Sequence, residues 1–487
     1  MPRIPNPDQA LLRHARGATP FCSKDGEPCA SLPAHLDART VHPIRSAEFR
    51  DWLTSNFYGE FEAAPPPGAY RSAIRTLEAN ARYGDFPTQK VDRRVSFEGD
   101  PYAPSKIILD LALDSGDLLE ITSHGRQTTS NLRHCFRRSP TTLPLPDPSS
   151  QPTSQPSILR PFLNTSTDAD FTRCLTWLTA SLRPTGPYPI LVLTGPTGSG
   201  KSFVARALRA LVDPSTVPIN RLPPRDHDLL KLAFHNWMLV FDLVHRMGRK
   251  MSETLCAISS GDAYEIPQPD LRNPLVFQIA RPIILIAPYD ETQRAWTPPR
   301  TLAARTITVD LPRLTAMKPE AYLWRKFEEI RPAAFATLCE AVSTALRRIR
   351  DIELGNVTRF PDCAAWTAAA APALGLDESE IIEPFTTRTS IWLGADPLRD
   401  AIHALLDINP TWTGQAADLL NHLRDRIPNS TLPNTPKGLS QALDRMPGIH
   451  VARAKGTDGE RSLVITKRNG ASQQMATTGS PATEATS

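Results

Sequence analysis

The apolar positions of this chain keep two rhythms, and the places where one gives way to the other outline its elements. From residue 46 to about 83 the spacing is helical: Phe49, Trp52, Leu53 and Phe57 share one face, and Tyr70, Ile74 and Leu77 share another after an Ala-Pro-Pro-Pro turn. Residues 90–137 alternate as short strands, KIILDLALD and DLLEITS, parted by Ser115-Gly116. Phe171–Leu182 is predicted as an amphipathic helix, followed by a strand at Pro189–Thr194 and a helix at Phe203–Leu211. Beyond these the spacing predicts a strand over 216–223, a helix over Asp226–Phe234, a strand over Trp237–Val244 and a helix over 252–259. A hairpin over Ala263–Gln278 and strands at 282–288 and 306–311 complete this region. Strands alternating with helices predict a parallel sheet covered on both faces. Leu323, Phe327 and Ile330, then Phe335, Leu338, Val342, Leu346 and Ile349, predict helices on either side of Pro332, and Ala364–Leu374 continues them as a helical lid. Three more helical stretches, Pro397–Leu406, Gly414–Arg426 and Pro436–Met446, precede two strands around Gly456-Thr-Asp-Gly459, the outline of a winged helix.

The expected fold class is α/β, a phosphate-loop nucleotide-binding core with a helical lid, a small N-terminal α+β module and a C-terminal winged helix. The segments are a poorly ordered lead-in over 1–43, the α+β module over 44–138, and a Pro/Ser linker over 139–157, SPTTLPLPDPSSQPTSQPS. The core follows over 158–315, the lid over 316–392, the winged helix over 393–468 and a Ser/Thr/Ala/Gly tail, expected to be disordered, over 469–487.

Composition narrows the picture. A net charge of +4 is too mild to announce a nucleic-acid protein, so such a role must rest on local patches. Seven scattered cysteines imply reduced thiols and a cytoplasmic protein. No signal-peptide core and no run of membrane-spanning length is expected. His14, Cys22, Cys29 and His35 match no standard zinc spacing and are read as ordinary residues.

The chemistry centres on Gly195-Pro-Thr-Gly-Ser-Gly-Lys201-Ser202, which fits G-x4-G-K-[ST] at every fixed position, between a strand and a helix. The backbone N–H groups of Gly195, Thr197, Gly198, Ser199 and Gly200 are candidates to wrap the phosphates of ATP. Lys201 would reach the β and γ phosphates, and the Ser202 hydroxyl would ligate Mg2+. Asp242, about forty residues on at a strand end, is the candidate magnesium acid. The residue after it, where a second acid would orient water, is Leu243, and Glu253 is the nearest replacement. Arg305, before TITVDL, is a candidate arginine finger for a neighbour's γ-phosphate. The strand at 282–288 offers Ile286 where a polar γ-phosphate sensor is expected. In the C-terminal segment Lys437, Arg453, Lys455 and Arg461 are candidate DNA-phosphate contacts, with Asn434 or Thr435 capping the helix that starts at Pro436.

With these residues in hand, the chain resembles replication-type ATPases of bacteria, phages and plasmids, related to superfamily 3 helicases and to the C-terminal regions of primase-helicases. The resemblance rests on PILVLTGPTGSGKS, PPRDHDLLKLAFHNWMLVFD, LCAISSGDAYEI, RPIILIAP and TLAARTITVDLP in that order. It implies an AAA+ ATPase assembling as a hexameric ring on single-stranded DNA or a replication fork, with primase or other replication proteins as partners and the hairpin after Gly261-Asp262 facing the channel. Leu243 and Ile286 depart from the family's pattern, which implies slow ATP turnover; the hairpin carries Arg272 as its one cation, and no primase domain is visible upstream. Two other readings compete: a nucleotide-dependent DNA-binding regulator without helicase activity, and a small-molecule kinase, which the helical lid and winged helix disfavour.

Overall fold

The computed structural model describes residues 6–467 except 34–38, 131–133, 150, 152–155, 243, 245–246, 267–274, 288, 291–293, 296–297, 356, 358, 387–396, 425–432, 434, 445, 447–448 and 456–460. The chain divides into two compact units, Met1–Thr389 and Ser390–Ser487.

The first unit opens with helix α1 (Pro7–His14) and an antiparallel sheet of β1 (Thr19–Cys22), β2 (Pro28–Pro33) and β3 (Arg39–Pro43). Over the described residues 6–33 and 39–43 this overturns the expectation of a poorly ordered lead-in. Its small apolar residues, Ala10, Leu11, Ala30 and Leu32, pack with Phe49, Leu53 and Phe57 of α2 (Ala47–Phe61) and Ile74 and Leu77 of α3 (Pro67–Tyr83). The prolines sit at strand ends or on an edge strand, where a missing N–H costs no ladder bond. Ser46 starts α2 by accepting from the Phe49 N–H at 3.1 Å.

A four-stranded antiparallel sheet follows: β4 (Val95–Gly99), β5 (Pro104–Asp110), β6 (Leu118–Thr122) and β7 (Gly125–Thr129). Its apolar face, with Val95, Ile107, Leu109, Leu119 and Ile121, belongs to the same core as the helices around the phosphate loop. The stretch read as a linker is ordered over its described part. Leu145 is buried, its N–H donates to Leu111 O at 3.0 Å, and the Leu143 N–H donates to Pro214 O at 3.0 Å. Segment 139–149 is therefore a strap laid between sheet and core, because Leu145 finds apolar partners that a local reading could not supply, while Leu143 is held through its main chain.

The core has α4 (Asp168–Ser181), β8 (Ile190–Thr194), α5 (Lys201–Val212), β9 (Asn220–Arg221), α6 (Asp226–His235), β10 (Leu239–Asp242) and α7 (Arg249–Ser260). It continues with a hairpin, β11 (Ala263–Ile266) and β12 (Leu275–Gln278), then β13 (Ile283–Ile286) and β14 (Thr306–Asp310). Five of these strands form a parallel sheet in the order β9-β10-β13-β8-β14, as the strand–helix alternation predicts. Alternate residues of β8 enter different cores, Leu191 and Leu193 on one face and Ile190 and Val192 on the other, which is why the whole strand is apolar.

The segment expected as a lid is built from α8 (Glu320–Arg348), α9 (Pro361–Ala370) and α10 (Glu378–Thr386). Pro332 does not divide α8. The residue whose carbonyl it leaves unpaired, Glu328, is exposed, so water can take the place of the missing bond. The C-terminal half of α8 packs on β6, where Ser343 Oγ donates to Thr122 O at 2.7 Å.

The second unit holds α11 (Pro397–Ile408), β15 (Thr411–Gly414), α12 (Ala416–Arg424), α13 (Pro436–Asp444), β16 (Ile449–Lys455) and β17 (Arg461–Lys467). Its antiparallel sheet has the order β15-β17-β16 around Ile402, Leu419, Leu423, Leu439 and Ile465. Thr411–Gly414 is a third strand, where the sequence pattern predicts a helix starting at Gly414.

Candidate phosphate-binding site

Strand β8 delivers the glycine-rich loop to the edge of the sheet and α5 begins at Lys201, so the loop ends on the N–H groups of a helix N-terminus. Gly195 has φ 141°, and a Cβ there would lie 2.2 Å from Leu311 O, so only glycine fits between strand and the next segment. Gly198 and Gly200 each have φ 81°, and Gly200 caps α5. Thr197 lies in the turn between Gly195 and Gly198, and Ser199 is buried with its N–H donating to Pro196 O at 3.2 Å.

The Lys201 ammonium donates to Gly195 O at 2.6 Å, Pro196 O at 2.9 Å and Ser199 Oγ at 3.3 Å. Burial pulls its pKa below the ordinary lysine range, while Asp242 and Asp310 oppose that shift. Ser202 Oγ donates to Asp242 Oδ2 at 3.2 Å. A hydroxyl and a carboxylate side by side are hard oxygen donors of the kind Mg2+ takes, and they fit that ion.

Three further positions that the sequence singles out have other surroundings. Ile286 is 2% exposed and packs in the core with Leu193 and Val240, so a polar group there would be buried instead of facing a phosphate. Glu253 is exposed and paired with Arg249 at 2.7 Å. The Arg305 guanidinium donates to Ser260 Oγ at the end of α7, and its main chain holds the strand start through Ile190 N–H to Arg305 O at 2.8 Å. Leu243 and Arg272 lie outside the described residues.

Two residues that sequence reasoning missed stand against the loop. The Asp310 carboxylate accepts from Thr194 Oγ1 at 3.1 Å, and Asn164 Nδ2 donates to Ser199 O at 2.9 Å and Pro312 O at 2.8 Å. Asp310 ends an apolar strand just as Asp242 does, which was the available signal; Asn164 had none.

In the second unit Lys437 is exposed in the first turn of α13, which Thr435 caps by accepting from the Gly438 N–H at 3.1 Å. Arg453 is exposed but ion-paired with Asp444. Lys455 and Arg461 are register partners on β16 and β17.

A parallel sheet whose inner strand feeds a G-x4-G-K-S loop into a helix defines a phosphate-loop α/β protein. Residues 157–380 match the family model described as actinomycete integrative conjugative element replication protein, in line with the replication-type resemblance read from the motifs. No curated protein matches the chain. Among solved structures, the "SCCmec type IV Cch - active helicase" is similar at 12% identity and TM-score 0.45, covering 92% of each chain. The NrS-1 C-terminal region is similar at 10% identity and TM-score 0.41 over 95% of this chain and 99% of that one. The JCV helicase is similar at 14% identity and TM-score 0.24 over 44% of this chain and 67% of that one.

Proposed function

We propose that this chain is an ATP- and Mg2+-binding, DNA-associated replication ATPase of the AAA+/superfamily 3 type, a replication helicase of a mobile or prophage element. The observation that carries the reading is the convergence of Lys201, Ser202 and Asp242 where β8, α5 and β10 meet. In this reading Lys201 exchanges its loop carbonyls for β- and γ-phosphate oxygens, and loop N–H groups from Gly195 to Ser202 take the remaining phosphate charge. Ser202 and Asp242 hold Mg2+, directly or through water, and the ion neutralises charge that builds on the phosphates during transfer.

The match over residues 157–380 to a replication-protein family supports DNA as partner. A hexameric ring with Arg305 acting across the boundary, and primase or other replication proteins as partners, belong to the same proposal. The second unit serves as a winged helix contacting DNA phosphates through Lys437, Arg453, Lys455 and Arg461. Seven free cysteines suit a reducing cytoplasm, and no described helix is long and apolar enough to cross a membrane.

A regulator that binds nucleotide without unwinding DNA is the second reading, and specific contacts favour slow turnover. Glu253 is engaged by Arg249 and Arg305 by Ser260, so neither the substitute base nor the finger stands ready in a single chain. The test is MgATP binding and turnover with and without single-stranded DNA, beside sizing in nucleotide. Lys201→Ala is expected to weaken MgATP binding by about a hundredfold, roughly 3 kcal/mol for a charged hydrogen-bonding group. Unchanged affinity in that variant would reject the site. DNA-stimulated turnover by a ring supports the motor; binding with no stimulation supports the regulator.

A further inference from the structure

We infer that Asn164 is a positioning residue of the phosphate site, holding the loop in the shape that receives a phosphate; this rests on the nucleotide reading above. Asn164 ends the helical turn Arg160–Leu163 with φ 41° and ψ 46°, a left-handed conformation that asparagine tolerates better than most residues. From there its side-chain amide donates to Ser199 O in the loop and Pro312 O in the segment after β14. One side chain therefore uses both its donors to tie together the run into the core, the phosphate loop and the segment just after β14.

The tie to Ser199 bears directly on phosphate binding. A trans peptide is planar, with its C=O and N–H pointing in opposite directions. Anchoring Ser199 O to Asn164 therefore turns the Gly200 N–H away from Asn164, and that N–H belongs to the set expected to wrap the phosphates. The same loop is held at neighbouring points, with the Leu314 N–H donating to Gly198 O at 3.2 Å and the Leu311 N–H to Thr194 O at 2.9 Å. Those main-chain bonds survive any substitution at 164. The Ser199 and Pro312 carbonyls depend on the amide.

Two variants separate positioning from folding. Asn164→Asp keeps size and left-handed tolerance but sets a carboxylate against two carbonyl oxygens; Asn164→Gly keeps the backbone and removes the donors. The full chain is titrated with MgATP and MgADP, its steady-state turnover of MgATP is measured, and its thermal unfolding without nucleotide is followed. Both variants are expected to raise Kd for MgATP and MgADP by a common factor of about ten or more, since both nucleotides carry the β-phosphate that the loop wraps. KM should rise with Kd while kcat stays within about threefold, the signature of lost binding shared by ground and transition states. Parent-like affinity in both variants, or a lower unfolding temperature with KM unchanged, overturns the inference and leaves Asn164 a structural cap. A parent chain that binds neither nucleotide overturns the nucleotide reading together with it.

Discussion

Single side chains set the character of the phosphate site, and their surroundings decide what each can do. Asp242 and Ile286 both end apolar strands of the same sheet, yet Asp242 meets the Ser202 hydroxyl while Ile286 is packed in the core. That difference recasts position 286. Ile286→Asn is expected to lower stability by about 3 kcal/mol, from lost apolar packing and a buried amide without partners, and to leave ATP turnover no faster than the parent's. Denaturant unfolding and a turnover assay on the same preparation check both halves. A variant that is stable and faster would restore the sensor role to this position.

Among the elements, the antiparallel sheet β4–β7 is joined to the core by a buried ion cluster as well as by apolar packing. Arg94, 1% exposed, donates to Asp213 Oδ1 at 3.0 Å, Asp110 O at 2.9 Å and Leu143 O at 3.1 Å. Asp213, just past the end of α5, also accepts from the Met238 N–H at 3.1 Å and lies 3.8 Å from Arg209. One arginine thus links β5, the 139–149 strap and the far end of the phosphate-loop helix. Arg94→Met is expected to destabilise the first unit by about 3–5 kcal/mol, because removing one partner of a buried pair strips Asp213 Oδ1 of its donor and leaves only the longer Arg209 contact to balance the charge. Chemical denaturation measures the loss; a change below about 1 kcal/mol would show that water replaces the guanidinium at this site.

For the whole molecule, the division at Thr389/Ser390 makes the C-terminal unit separable by truncation. Removal of residues 390–487 is expected to weaken duplex DNA binding and flatten its salt dependence, each lost phosphate contact lowering the slope by about 0.9. Arg453 exchanges Asp444 for a phosphate in this account, so its share should be smaller than that of the exposed Lys437. Affinity titrations across a salt series read the result, and equal slopes before and after truncation would make the second unit a protein-contact surface instead.

What the sequence determined by itself was local: the glycine loop, Lys201, Ser202 and Asp242, and the strand–helix alternation that makes a parallel sheet, since period and motif are written in neighbouring residues. The helices of the second unit were legible for the same reason, although the Thr411–Gly414 strand was not, because its pairing partner lies about fifty residues away on β17. Tertiary structure alone decided the strand order, the burial of Ile286, the folding of residues 6–33 and 39–43 and the use of 139–149 as a strap. It also brought Asn164 and Asp310 to the loop from positions roughly 150 residues apart. Each of these depends on which distant surface a segment meets, and a one-dimensional pattern of apolar and polar residues records the need for a partner without recording which partner answers it.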